Sequence, residues 1–446
     1  MPRTVPKSSP ALEILLDGGG GPFRPGDVIT GRVVRHAAVV SSQVSVAIQL
    51  HGRSKSKMTV SRGQAGTSIY RGRFNFFDPE QNRQQLFNGP IHIPPDGNAE
   101  EWTFALTVPS GLDPSTVAKG NDQKHSYLPL GPQDVASHSM PPVFYTSGVW
   151  ITTSYHCYVE YFLEAKLHVE SAGGSTDTAA LPVNIIPAST PDMITDFDLS
   201  RRSFLGRIST HRLIPGMETA ELSLHQRTQK LFGSSKVPQF AFSIQVDCPK
   251  VLQLGNHNHI PFRVLVTPDR AQTTDAIRDS PQPVTLTAMT FEIKAATKMI
   301  CRGTLTSHTS SDTRRVGFDL KPAIARLQSP IVLPSGEKAE PLDIGELLHL
   351  SVTSATPRGH RFFSSNKGQL YPSFETYNIR HNHRLKWSLT VTAAGESTEL
   401  SSEVDIALLP LSGLPLSDPA LDEEPPLYEP PSYEEPPDGD WPKEKK

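Results

Sequence analysis

Apolar and polar residues alternate along most of the chain with a period of two. In "VSVAIQLHG", Val44, Val46, Ile48 and Leu50 alternate with Ser45, Ala47 and Gln49. That period predicts a half-buried strand. In "FRPGDVITGRVV", Pro25-Gly26 reads as a turn pair, and Ile29, Gly31 and Val33 then share one strand face. Tyr70, Gly72, Phe74 and Phe76 alternate, as do Trp102, Phe104, Leu106 and Val108 ahead of Pro109. The longest case is "YHCYVEYFLEAKLHVE". There Cys157, Val159, Tyr161, Leu163, Ala165, Leu167 and Val169 form an apolar face, and Tyr158, Glu160, Phe162, Glu164, Lys166 and His168 a mostly polar one. "LPVNIIP" reads as the last strand of this first unit.

The alternation fades over residues 188–237, which read as a polar connector with a short helix near "METAELSLHQ". It resumes at Phe240, Phe242, Ile244 and Val246, then at Phe262, Val264 and Val266, and at Val284, Leu286 and Ala288. It returns at Leu385, Trp387, Leu389 and Val391, and ends at Val404, Ile406 and Leu408. Long polar loops are expected between Pro109 and Val149 and between Thr267 and Pro283. Short strands with turn signals in two such units predict an all-β protein of two tandem β-sandwiches, residues 11–187 and 238–410. No solenoid-type repeat is visible.

Composition sharpens this picture at one end. Residues 411–446 hold nine Pro, ten acidic and three basic residues. Their net charge is −7, which leaves +4 on residues 1–410 (−3 less −7). Such a tail has too little apolar surface to offset its ordering entropy, so disorder is expected. The basic residues of the body are dispersed along the sequence, which argues against a nucleic-acid partner and leaves a weak attraction to anionic membranes. The opening "MPRTVPKSSPALEILL" lacks the apolar core of a signal peptide. Cys157, Cys248 and Cys301 are too scattered for a disulfide framework. A soluble, cytoplasmic protein is expected.

The tail contains Pro425-Pro426-Leu427-Tyr428 and Pro430-Pro431-Ser432-Tyr433. Pro-Pro pairs favour polyproline II, an extended helix with three residues per turn. Tyr thus returns near the face of the first Pro, the shape read by a WW domain's aromatic groove. The chain's own Pro and Tyr frequencies give about 0.1 chance matches, so two adjacent copies point to a partner. Pro425, Pro426, Tyr428, Pro430, Pro431 and Tyr433 are the candidate WW-binding residues. Five residues of polyproline II span about 16 Å. A small domain is roughly 20 Å across, so the two motifs should compete for one WW domain.

With these strands and this tail, the chain resembles the fungal α-arrestins, or arrestin-related trafficking adaptors, over most of residues 11–433. "FRPGDVITGRVV" is similar to the family's opening strand-turn-strand, and "WTFALTVP" to its aromatic strand ending in Pro. "YHCYVEYFLEAKLHV" resembles its long aromatic-rich strand, and "PSFETYNIRHNHRLKWSLTV" a stretch late in its second domain. The loop at 110–147 departs from the family's compact pattern. The resemblance implies two arrestin-like domains acting as a non-catalytic adaptor. It would link cytosolic segments of membrane transporters or receptors to a HECT-type ubiquitin ligase carrying WW domains. Ubiquitination and endocytosis of the cargo would follow, with the protein recruited peripherally to plasma membrane or endosomes. The rival readings are an arrestin-fold coat or retromer-like sorting subunit with no ligase role, and an enzyme on a β-sandwich.

Other signals are weaker. The Gly18–Gly21 run lacks a following Gly-Lys-Ser/Thr and reads as a loop. His257/His259 and His381/His383 have i, i+2 spacing and read as surface or turn histidines, with no metal or cofactor expected. No Gly-x-Ser-x-Gly, His-Glu-x-x-His or Cys-x-x-Cys pattern supports an enzyme. "RRSFLGRIST" in the connector places Arg upstream of Ser203 and Ser209. Those serines are candidate phosphorylation sites for an Arg-lined phosphopeptide reader such as a 14-3-3 protein.

Overall fold

The computed structural model describes residues 11–412 apart from 19–20, 96–98, 171–173, 187–191, 233–235, 304–305, 337, 353–362 and 365–369. Its first unit contains strands β1 (Glu13–Leu16), β2 (Val28–Arg35), β3 (Val39–Ser61), β4 (Thr67–Asn75), β5 (Arg83–Ile93), β6 (Glu100–Thr107), β7 (Phe144–Trp150), β8 (Thr153–Val169) and β9 (Thr176–Val183). They form two antiparallel sheets. One has the order β1-β2-β6 and the other β4-β3-β8-β7, with β5 added to β3 and β9 to β8. The predicted alternation sets the packing. Ile29 and Val33 face Trp102, Phe104 and Leu106 on one sheet, and meet Val46, Ile48, Leu163 and Leu167 from the other in one buried cluster.

Gly31 sits where two backbones meet. A Cβ there would lie 2.2 Å from the Leu15 carbonyl oxygen and 2.9 Å from the Phe104 ring. The first of these is main chain on a paired strand and cannot swing aside.

The second unit has β10 (Leu199–Ser209), β11 (Gln239–Pro249), β12 (Val251–Gln253), β13 (Arg263–Pro268), β14 (Thr285–Cys301), β15 (His308–Asp319), β16 (Ile331–Val332), β17 (Leu342–Asp343), β18 (Phe363–Ser364), β19 (Phe374–Glu375), β20 (Ile379–Ala393) and β21 (Glu396–Leu409). One sheet runs β10-β11-β13-β17 and the other β12-β21-β20-β14-β15-β18. Between them Trp387 is fully buried and meets Phe204 and Phe262 edge to face, at 5.3 and 5.5 Å between ring centres. The molecule is therefore all-β, in two sandwiches.

Three expectations change. The connector is not strand-free: Leu199–Ser209 pairs with β11 along its whole length and belongs to the second sandwich. Its first half exposes Arg201, Arg202 and Ser203, so an edge strand reads as polar linker. The helix near it spans Leu224–Leu231 and starts at a capping box between Ser223 and Gln226, later than "METAELSLHQ" suggests. Next, the stretch after Pro109 is not all loop. It holds short helices at Pro114–Ala118 and Pro132–Ser137, each burying a valine, and then strand β7. Finally, Ala288 is not on the buried face. A bulge between Leu286 and Ala288 shifts the phase, so Met289, Phe291 and Ile293 continue the core.

The middle of β8 also buries its polar face. Arg53 pairs with Glu160 at 2.6 Å and lies 4.8 Å over the Phe162 ring, covering both. Cys157, Cys248 and Cys301 are buried free thiols.

Gly31→Ala should destabilise the protein by about 3 kcal/mol or block folding, because overpacking against main chain cannot relax. Denaturant unfolding of the variant checks this; a loss below about 0.5 kcal/mol would show that β1 and β2 can separate at no cost.

Candidate functional site

All six predicted WW-binding residues lie outside the described residues. What the structure builds is the body that carries them, and its main feature is the seam between the sandwiches.

Strand β3 is long enough to serve two cores. Its inward residues Val44 to Leu50 fill the first sandwich, while Ser54, Ser56 and Met58 run on past it and are covered by the second. Strand β4 runs alongside, with Ser54 opposite Phe74 and Ser56 opposite Gly72. The covering residues are Met299 and Ile300 at the end of β14, Tyr377 and Asn378 just ahead of β20, and Ile379 at its start. Phe74 stacks on Tyr377 at 5.1 Å.

The polar atoms buried here satisfy one another. Ser54 Oγ donates to Asn378 Oδ1 at 2.5 Å, Asn378 Nδ2 donates to Ser56 Oγ at 3.1 Å, and Ser56 Oγ donates to the Ile300 carbonyl at 2.6 Å. Serine suits this position because only a small side chain lets the β3 backbone come this close. Gly72 serves the same purpose on β4: a Cβ there would lie 2.9 Å from the Ile300 carbonyl oxygen.

The segment after Pro109 crosses the seam as a strap. Tyr127 N–H donates to the Tyr377 carbonyl at 2.8 Å, and His125 Nδ1 lies 2.8 Å from Ser307 Oγ. His138 Nδ1 lies 3.2 Å from the Tyr377 hydroxyl. Strand β7 closes the far side. Arg314 Nη2 donates to Thr146 Oγ1 at 2.8 Å while its Nε faces Asp312 at 3.3 Å. Burial and the Asp312 carboxylate push the nearby Tyr155 hydroxyl up to about 12.

The i, i+2 spacing of His381 and His383 reads as surface or turn histidines, and the structure corrects this. Both are buried on the inward face of β20, because that face continues the apolar row Leu385, Trp387 and Leu389. His381 Nδ1 lies 2.8 Å from Thr297 Oγ1, and His383 Nδ1 lies 2.8 Å from Ser373 Oγ. Phe144 packs on the His381 ring at 4.8 Å. Burial lowers His381 to about 3, helped by His383 and Arg314, and lowers His383 to about 4. Both are neutral near pH 7. His257 and His259 are exposed in a loop, with His259 beside His349. Among the described residues, no group of three or more His, Cys, Asp or Glu is placed to hold a metal.

Ser203 and Ser209 lie in β10. Ser203 is exposed opposite Gln245, and Ser209 is half-buried opposite Gln239. Their main chain belongs to an antiparallel ladder, so a phosphopeptide reader that takes an extended segment would need β10 to leave its sheet edge. Among the described residues no helix is long and apolar enough to cross a membrane. Compared with models of known protein families and with curated protein sequences, the chain matches none.

Asn378→Ala leaves two buried serine hydroxyls with reduced partners, so it should cost about 2–3 kcal/mol in denaturant unfolding; an unchanged midpoint would mean that the network adds nothing to the seam. The two histidines also set an acid limit. Their folded pKa values lie below the unfolded value of about 6.5, so the unfolded chain binds more protons once the pH drops under that value. Their contribution is complete above about pH 6.5 and is lost as pH falls towards 4, by about 2 kcal/mol per histidine at pH 5. Replacing both by Gln should flatten the stability profile between pH 7 and 5; an unflattened profile would place the acid sensitivity elsewhere.

Proposed function

We propose that the protein is a non-catalytic, arrestin-like adaptor. Its tail recruits a WW-domain HECT-type ubiquitin ligase, and its paired sandwiches engage cytosolic segments of membrane transporters or receptors. The cargo is then ubiquitinated and taken up by endocytosis. In this reading the protein works from the cytoplasm and moves to the plasma membrane or endosomes.

The observation that carries the reading is the pair of motifs at Pro425-Pro426-Leu427-Tyr428 and Pro430-Pro431-Ser432-Tyr433. A WW groove needs the Pro ring pair and the Tyr in register, and both copies supply them. The all-β body supports it. Two sandwiches joined by an ordered seam offer a broad surface whose parts keep fixed spacing, which suits docking on a large partner.

The test is a titration of a ligase WW domain against the full chain. Binding should be one domain per chain, because the motifs are too close to hold two. Tyr428→Ala and Tyr433→Ala should each weaken binding about twofold, the statistical share of one motif, and the double variant should abolish it. No binding by the unmodified chain would overturn the ligase role and favour a sorting subunit that works without one. Two domains per chain at saturation would overturn the competition between motifs.

A further inference from the structure

The second sandwich covers the inner face of the distal half of β3 and β4, and the opposite face of the same strands looks outward. Strand registers define that outer face. Arg53, Lys55, Lys57 and Thr59 of β3 stand opposite Asn75, Arg73, Arg71 and Ile69 of β4. On the other side, Glu160, Tyr158, His156 and Ser154 of β8 stand opposite the same β3 residues, followed by Tyr145, Ser147 and Val149 of β7. Arg71 and Arg73 are exposed, and Lys55 and Lys57 are half-buried.

The charge is one-sided. Residues 53–77 contain six Lys and Arg and no Asp or Glu, and residues 144–159 contain neither sign apart from His156. The body as a whole carries only +4, so this face holds more than its entire surplus. These cations are far apart in sequence, and pairing β3 with β4 gathers them. Glu160 is the single carboxylate on this stretch of the four strands, and Arg53 already pairs with it. Burial and the neighbouring Arg53 cation hold the Arg73 guanidinium below its ordinary value.

One end of this face is an apolar tip. In the β7–β8 hairpin, Val149, Trp150 and Ile151 are 77%, 74% and 88% exposed. Ile151 has φ of 47°, a left-handed value that a β-branched residue rarely adopts. The β3–β4 turn lies alongside, with Ser61 N–H donating to the Thr152 carbonyl at 2.8 Å, and it carries exposed Arg62. From the tip to Arg53 the face runs about 23 Å along the strands.

We propose that this outer face of β4-β3-β8-β7, with Trp150 and its neighbours at the tip, binds an anionic lipid bilayer. A bilayer surface takes both features at once. Lys57, Arg71 and Arg73 meet the negative headgroups, while Trp150, Val149 and Ile151 enter the headgroup–acyl boundary where Trp is favoured. An acidic peptide would use the cations and leave three projecting apolar side chains in water. The face is a broad pleated sheet, which matches a plane better than a strand of peptide. This site does not depend on the ligase-adaptor reading, since it uses no residue of the tail.

Vesicle flotation of the full chain tests it. The chain should float with phosphatidylcholine vesicles containing about 30% phosphatidylserine, stay in solution with pure phosphatidylcholine, and be released at about 0.5 M salt. Each surface cation contributes about fivefold, so Lys57→Gln with Arg71→Gln should weaken binding about 25-fold. Trp150→Ser should weaken it about tenfold and leave the thermal midpoint unchanged. Equal binding to both vesicle types, or no binding, overturns the proposal, as do well-folded variants that bind like the parent. Capture of an acidic peptide or an oligonucleotide through Lys57 and Arg71, with no vesicle binding, would assign the face to that partner instead.

Discussion

The protein depends on one strand that is too long for its own sandwich. Strand β3 fills the first core with Val44 to Leu50, and then continues with Ser54, Ser56 and Met58 into space that the first sandwich does not occupy. An isolated overhang would leave Met58 and the close-approaching backbone of the serine row open to water. The second sandwich covers it through Met299, Tyr377, Asn378 and Ile379, and the hydroxyls buried in the process bond to Asn378 and to the Ile300 carbonyl. The interface is wet chemistry made dry: its polar groups are few, small and mutually paired, which is the condition under which burying them is tolerable. The strap over residues 110–143 and strand β7 then close the same seam from both sides.

This arrangement also dictates what is left outside. Because side chains alternate across a strand, covering Ser54 and Ser56 turns Arg53, Lys55 and Lys57 to the opposite face. The seam and the cationic face are therefore two sides of one strand segment, and the sequence cannot alter one register without moving the other. A molecule built this way has a fixed body with an oriented charged surface, and a tail whose chemistry is independent of it. That division suits a protein that connects two partners.

Much of the fold was legible in the sequence. The apolar rows at Ile29–Val33, Cys157–Leu167, Phe240–Val246 and Leu385–Val391 are buried as their period predicts, because each strand has one face on a core. The misreadings share a cause. "RSKSK" at 53–57 is polar on both faces, so periodicity marks neither the buried serines nor the seam. "RRSFLGRIS" hides an edge strand for the same reason: one side needs no apolar cover, and Gly206 breaks the row on the other. His381 and His383 look like surface residues until the row they extend is seen to be the core side of β20. The missed cationic face had a faint signal, six basic and no acidic residues over 53–77, but only strand pairing brings the two halves together. The tail is the opposite case. Its motifs were read from local spacing alone, and they lie outside the described residues.

The adaptor account is tested most directly by surface-labelling mass spectrometry on cells that carry the chain without residues 411–446. One or more transporters or receptors should accumulate at the cell surface and lose ubiquitin, while the truncated protein remains folded and abundant. Unchanged surface levels and unchanged ubiquitination, with the truncated protein present at normal amounts, would contradict it.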